Sequence, residues 1–325
     1  MARTRNNRNL APRFGIGEWY GKSFVKLSPQ ERRDLAETAL THNRQTNMPC
    51  PFRDSGGTIK CTKKGGVCSL RLYATTDRVN AIAVDGVEGD LRAVCPHRFK
   101  QNGTIYATIG EKVLNTRSPL IVDEVRFLQR LREEIPGGPT EEEAAEDENT
   151  AVDEIGKEDV GNIDNVLVHP DDPTRWCALE IQAVYFSGKG MTSLFRSIKE
   201  YRGSGMPFPD AVRRPDYRSS GPKRLMPQLQ IKVPTLRRWG KKMAVVVDAG
   251  FYRSLGKMEL VSDLSNADIA WFVIEYDESG PTAVIKIDEP HKQTLERAVE
   301  GLTGGLPVTL SEFEDKIAEK LRRRR

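Results

Sequence analysis

The sequence predicts an α/β (α+β) fold, a mixed sheet flanked by helices, preceded by a module built around cysteines. Three observations carry this. Beyond residue 160, apolar strand-like runs alternate with helical patterns. One of those runs, Leu179-Glu180-Ile181-Gln182, sets a carboxylate inside the best strand of the chain. Four of the five cysteines fall between positions 50 and 95, among glycines. At 325 residues there is room for one large domain or two moderate ones, at ~100–200 residues each. The boundary is expected near residue 104. Residues 1–104 would form a basic arm, a helix and a cysteine module, and residues 105–325 the sheet core.

Taken in order, residues 1–20 read as a basic arm. Ser28-Pro29-Gln30-Glu31 opens a helix to about residue 42: serine caps, proline takes the first turn and glutamate closes a capping box. Short strands are expected near 70–74 and 81–84. Ser118-Pro119 predicts a second helix, with Ile121, Val125, Leu128 and Ile135 on one face and Pro136-Gly137-Gly138 as its stop. The acidic stretch 139–160 has almost nothing to bury and reads as a loop. Strands are then expected at 165–168, 176–184, 243–248, 271–276 and 283–287. Helices are expected at 191–201, 235–242, 293–302 and 312–322, the last with Ser311 and Glu314 as a capping box.

The formal charge of +4 conceals an asymmetry. Residues 141–160 hold ten acids against Lys157 alone, whereas residues 196–242 hold thirteen Lys and Arg against three acids. A basic body of this kind favours a polyanion, most simply nucleic acid. No run of 18 apolar residues is present to span a membrane, and the first residues lack a secretory apolar stretch. Five cysteines are too sparse for a secreted disulfide scaffold, so a cytoplasmic, reducing location is expected.

Cys50, Cys61, Cys68 and Cys95 form the cysteine set, with Cys50-Pro51-Phe52-Arg53 and Cys95-Pro96-His97-Arg98 locally alike. Thiolates bind borderline cations, and a sulfur cage needs turns that glycine permits. Four sulfurs suit iron or zinc, and the ligands alone do not choose between them. Cys177 lies inside an apolar strand and is expected to be core.

Residues two apart on a strand share a face, so Glu180 and Gln182 project together, away from Leu179, Ile181 and Ala183. Asp164 begins the preceding strand, across the turn at residues 169–173. An acid on each of two neighbouring strands can share Mg²⁺, which activates water and stabilises charge on a phosphate. This follows the PD-(D/E)xK nuclease pattern, with Gln182 where lysine is usual.

Together these segments resemble the NotI-type restriction endonucleases. The resemblance rests on Cys50-Pro51-Phe52, Cys61, Gly66-Val67-Cys68, Val94-Cys95-Pro96-His97-Arg98, Leu179-Glu180-Ile181-Gln182 with Phe186 and Gly188, and the late strand from Trp271 to Glu275. It implies a homodimeric, Mg²⁺-dependent Type II enzyme that cuts double-stranded DNA. It also implies a structural iron held by Cys50, Cys61, Cys68 and Cys95. Asp164 and Glu180 would hold the catalytic metal and Gln182 would position water or phosphate, with Asp159, Asp171 and Asp172 as nearby alternatives to Asp164 and Glu124 a further candidate from the helix expected around it. Two other classes share the basic charge: a non-catalytic DNA-binding protein with a cysteine metal module, and an RNA-processing nuclease.

Overall fold

Short β-branched and aromatic runs separated by glycine turns build the first half of the chain, and longer buried strands build the second. The structure is a computed structural model that describes residues 11–41, 48–53, 58–128, 161–256, 258–303 and 308–323. The acidic stretch 139–160, residues 129–138 of the expected second helix and residues 1–10 of the N-terminal arm lie outside those residues.

In chain order, β1 (Arg13–Trp19) and β2 (Lys22–Ser23) form a hairpin, followed by α1 (Pro29–Thr41). Then come β3 (Val67–Ala74), β4 (Asn80–Ala83), β5 (Arg92–Ala93) and α2 (Thr104–Ile109), which runs into a π turn at Gly110–Leu114. The second half begins with β6 (Leu120–Arg126), β7 (Asn162–His169), β8 (Asp172–Ile181) and β9 (Phe186–Gly188). Next are α3 (Met191–Glu200), β10 (Met206–Pro207), β11 (Arg213–Pro215) and α4 (Met226–Arg238). The chain continues through β12 (Met243–Asp248), α5 (Ala249–Ser254), β13 (Ile269–Asp277), β14 (Val284–Ile287) and β15 (His291–Gln293). It ends in α6 (Leu295–Thr303) and α7 (Leu310–Arg322).

The first sheet is antiparallel, in the order β10-β4-β3-β1-β2 with β5 also on β3. It takes β10 from the second half of the chain, and α3 adds Leu194, Phe195 and Ile198 to its core. Phe195 stacks on Trp19 with ring centroids 5.3 Å apart. Gly65 makes room for this contact: a Cβ there would lie 2.5 Å from the Phe195 ring, and its φ of +73° suits glycine.

The second sheet is mixed, in the order β14-β13-β12-β8-β7-β6 with β15 also on β13. β12 lies between β8 and β13, parallel to both, and all six of its residues are buried, as a central parallel strand requires. Cys177, Leu179 and Ile181 face Ile105 and Ile109 of α2, and Cys177 is core as expected. On the other face Ala178 joins Val245, Leu229, Val233 and Leu236, so α4 covers that side. The two sheets share a buried seam. Arg98 pairs with Glu18 at 2.6 Å, donates to the Ala283 carbonyl at 2.8 Å, and lies 4.7 Å from the ring centres of both Phe52 and Tyr276. Among the described residues, no helix is long and apolar enough to cross a membrane.

The mixed α+β architecture with flanking helices is as expected, and four elements differ. Residues 13–19, expected within a basic arm, form β1, which pairs with β2 and β3 and buries Ile16 and Trp19 in the first core. Residues 120–126 are a strand, not a helix: Ile121, Val122 and Val125 are β-branched, and the segment pairs antiparallel with β7 from Leu120↔Val168 to Arg126↔Asn162. The helix expected at 235–242 begins nine residues earlier and stops at Trp239-Gly240, where Gly240 has φ +67°. The last capping box is Thr309 with Glu312 rather than Ser311 with Glu314. The first box is as expected: Ser28 N–H donates to Glu31 at 2.9 Å and Glu31 N–H to Ser28 Oγ at 3.2 Å.

Candidate active site

Three strands set a row of carboxylates. The pairs Asp123↔Asn165 and Val125↔Ile163 leave Glu124 opposite Asp164, and Asn165↔Leu179 brings Asp164 level with Glu180. Hydrogen bonds lock the inner pair: Ile181 N–H donates to Asp164 Oδ2 at 2.9 Å, and Asp164 N–H donates to the Glu180 carboxyl. Asp164 is exposed, whereas Glu180 is 2% exposed. Glu124 sits on the edge strand with φ +51°, a left-handed conformation that a non-glycine residue adopts at a cost. Suspected on a helix, it reaches this row from a strand.

Glu180 and Gln182 share the sheet face covered by α4, as the alternation predicts. Gln182 is buried, and its amide donates to the Ala183 carbonyl at 2.6 Å. The sequence reading missed Lys232. This residue of α4 is wholly buried, and its ammonium donates to Glu180 Oε1 at 2.5 Å and to Gln228 Oε1 at 3.0 Å. Burial pushes the Glu180 carboxyl up to about 8 and the neighbouring Asp164 charge adds to this, while Lys232 opposes both.

Asp164, Glu124 and Gln182 line a cleft of about 550 Å³, within the ~300–1,000 Å³ usual for ligand sites. One wall carries Lys63, Lys64 and Lys100 from the cysteine-bearing half; the other carries Lys189 and Arg224. Arg224 stacks 3.8 Å above the centre of the exposed Tyr185 ring and donates to its hydroxyl at 2.6 Å. Arg213 also lines the cleft, but its buried guanidinium is held by Asp210 and the Lys189 carbonyl, a structural use. Cations thus outnumber the carboxylates Glu124 and Asp164 in the lining. Such a cleft attracts a phosphate backbone and confronts it with oxygen ligands.

Cys50, Cys61, Cys68 and Cys95 are all buried free thiols. Cys50 and Cys61 are tied by a short ladder, with Cys50 N–H to the Ile59 carbonyl at 2.7 Å and Cys61 N–H to the Met48 carbonyl at 2.9 Å. Val94 N–H donates to the Cys68 carbonyl at 3.0 Å, which brings Cys95 beside β3. Cys68 feels the charges of Cys95 and Cys61, and Cys95 that of Cys50. Burial pushes both thiols up, but amide N–H groups are aimed at the sulfurs: His97 and Arg98 at Cys95, and Gly21 at Cys68. Among the described residues, no three His, Cys, Asp or Glu side chains are grouped so as to hold a metal ion. The four sulfurs are therefore neighbours rather than a formed cage.

A family model described as restriction endonuclease NotI matches residues 34–287, more than three quarters of the chain. The chain belongs to the NotI restriction endonuclease family. It is a Type II restriction endonuclease, a site-specific DNA nuclease. The match to the NotI family spans the cysteine set, the carboxylate row and α4, and stops short of α6 and α7. No curated protein sequence matches the chain.

Proposed function

We propose that this endonuclease hydrolyses the phosphodiesters of duplex DNA with Mg²⁺ at the Asp164–Glu180 pair, in a PD-(D/E)xK-like arrangement. The observation that carries the reading is the register: an exposed aspartate that lines a basic cleft is locked beside a buried glutamate. The donor set fits the ion. Mg²⁺ is bound through one or two carboxylates, with substrate phosphate and water completing its shell, so no third protein ligand is needed. Mutual repulsion between Asp164 and Glu180 is what a divalent cation relieves. When bound, the ion lowers the pKa of its water and stabilises charge on the phosphate. Asp164 and Glu180 hold it. Gln182 offers a dipole that orients water or phosphate. The wall lysines draw in and position the DNA backbone.

The four cysteines are proposed to hold a structural iron ion, or zinc in its place. The donor chemistry fits, since buried thiols crowd together and backbone N–H groups that favour thiolate point at two of them. A homodimer is proposed because a two-fold protein matches a palindromic site.

The test is cleavage of duplex DNA with Mg²⁺ alongside binding measured with Ca²⁺. Glu180→Ala is expected to abolish cutting and retain binding. Full cleavage by that variant overturns the assignment.

A further inference from the structure

Strand β8 lacks the lysine usual in a (D/E)xK pattern, yet a lysine stands at the glutamate. Lys232 comes from α4, 52 residues further along the chain, and its ammonium meets Glu180 Oε1 at 2.5 Å. Packing alone does not select it. Leu225, Leu229 and Leu236 fall at helical spacing on either side of position 232, and all are buried against the sheet. An apolar residue would continue that stripe. A buried ion pair is also weak evidence for stability, because hydrophobic replacements of such pairs are often neutral or stabilising. Retaining an ammonium in the middle of an apolar helix face therefore calls for a reason other than packing. Its second partner, Gln228, lines the cleft, so the charge lies one side chain from the proposed DNA path.

We infer that Lys232 supplies from α4 the positive charge that position 182 lacks. It is a positioning residue that orients the Glu180 carboxylate and fixes a cation beside it. The inference rests on the proposal that Asp164 and Glu180 form the cutting site. It predicts that the two lysine positions are interchangeable in part, since Gln182 projects from the same sheet face that α4 covers.

The experiment compares single-turnover cleavage, with Mg²⁺, of a plasmid that the wild type cuts. The proteins are wild type, Glu180→Ala, Lys232→Met and the double variant Lys232→Met/Gln182→Lys. DNA binding with Ca²⁺ and thermal unfolding are followed in parallel. Lys232→Met is expected to cut on the order of 10²-fold more slowly with binding retained, and the double variant to regain on the order of tenfold. If the pair were purely structural, Lys232→Met would lower the unfolding temperature, and adding lysine at 182 would recover no cleavage. Lys232→Met cutting at the wild-type rate overturns the inference, as does a double variant that folds and cuts no faster than Lys232→Met. Should Lys232→Met not fold, the double variant decides alone: cutting supports the inference, and failure to fold or cut overturns it. An inactive Glu180→Ala beside a fully active Lys232→Met sinks the inference only. Cleavage by Glu180→Ala sinks the active-site reading and the inference with it.

Discussion

In the proposed PD-(D/E)xK-like site, Gln182 stands where a lysine is usual. A lysine there would place charge near the phosphate, whereas an amide offers only an oriented dipole. Its Nε2 already donates to the Ala183 carbonyl, which fixes the side chain. Truncation to alanine removes one oriented polar group, and losses of that kind cost on the order of 10²-fold in rate. Gln182→Ala should therefore slow single-turnover cleavage by about that factor; an unchanged rate would reduce Gln182 to a polar residue on a strand face. Glu180 and Gln182 were legible in the sequence because a strand alternates with period two and needs no tertiary information. Asp164 was legible only as one of several acids near the turn, with Asp159, Asp171 and Asp172, and the register Asn165↔Leu179 is what sets it level with Glu180. Lys232 was not legible: its approach to Glu180 depends on how a helix docks on a sheet, and no local spacing encodes that.

At the scale of elements, the errors have a common cause. Leu120–Arg126 has apolar residues at both helical and strand-compatible spacings, and pairing with β7 decided between them. Helix α4 contains Pro227 in its first turn and Pro234 inside it, which hid its true start. The cysteine ladder and the start of β5 were legible only as a cluster, since the contacts between Cys68 and Cys95 are made by strands folding back. Serine at Cys50, Cys61, Cys68 or Cys95 should release bound iron or zinc and lower the unfolding temperature, because metal binding and folding are coupled. Cys177→Ser should retain the metal, since Cys177 lies in the α2-facing core of the second sheet. Elemental analysis of the five purified variants separates these outcomes.

Asp248 caps α5 by accepting from Phe251 N–H at 2.7 Å, and its other oxygen accepts from Ala93 N–H of β5 at 3.0 Å. It thereby ties the two sheets together. Complete burial pushes its carboxyl up to about 6, against the pull of those amides and Arg92. Between the ordinary aspartate value and about 6, the folded protein holds a proton that the unfolded chain has released. This group's contribution to stability therefore falls as pH rises through that window. The unfolding temperature of the wild type relative to Asp248→Asn should decline from pH 4 to pH 7; a constant difference would show that Asp248 is ionised throughout.

Over the whole molecule, charge and shape act together. The basic segment 196–242 contributes Arg213 and Arg224 to the cleft, and Lys63, Lys64 and Lys100 join them from the cysteine-bearing half. The two lining carboxylates, Glu124 and Asp164, are too few to cancel this field, so approach of DNA is favoured before any base is read. Binding should weaken steeply with salt, each neutralised phosphate contributing a slope of roughly −0.9 in log K against log salt. Lys64 is exposed on one wall, and Lys189 on the other keeps 64% of its side chain exposed. Its ion pair with Asp210 spans 3.8 Å at the surface, so it remains available to phosphate. Replacing either lysine by alanine should reduce the magnitude of the slope by about 1 and weaken binding to all duplexes alike. Titrations at several ionic strengths, with Ca²⁺ in place of Mg²⁺, measure both quantities without cutting. Unchanged slopes in both variants would mean that the DNA backbone does not run past Lys64 and Lys189.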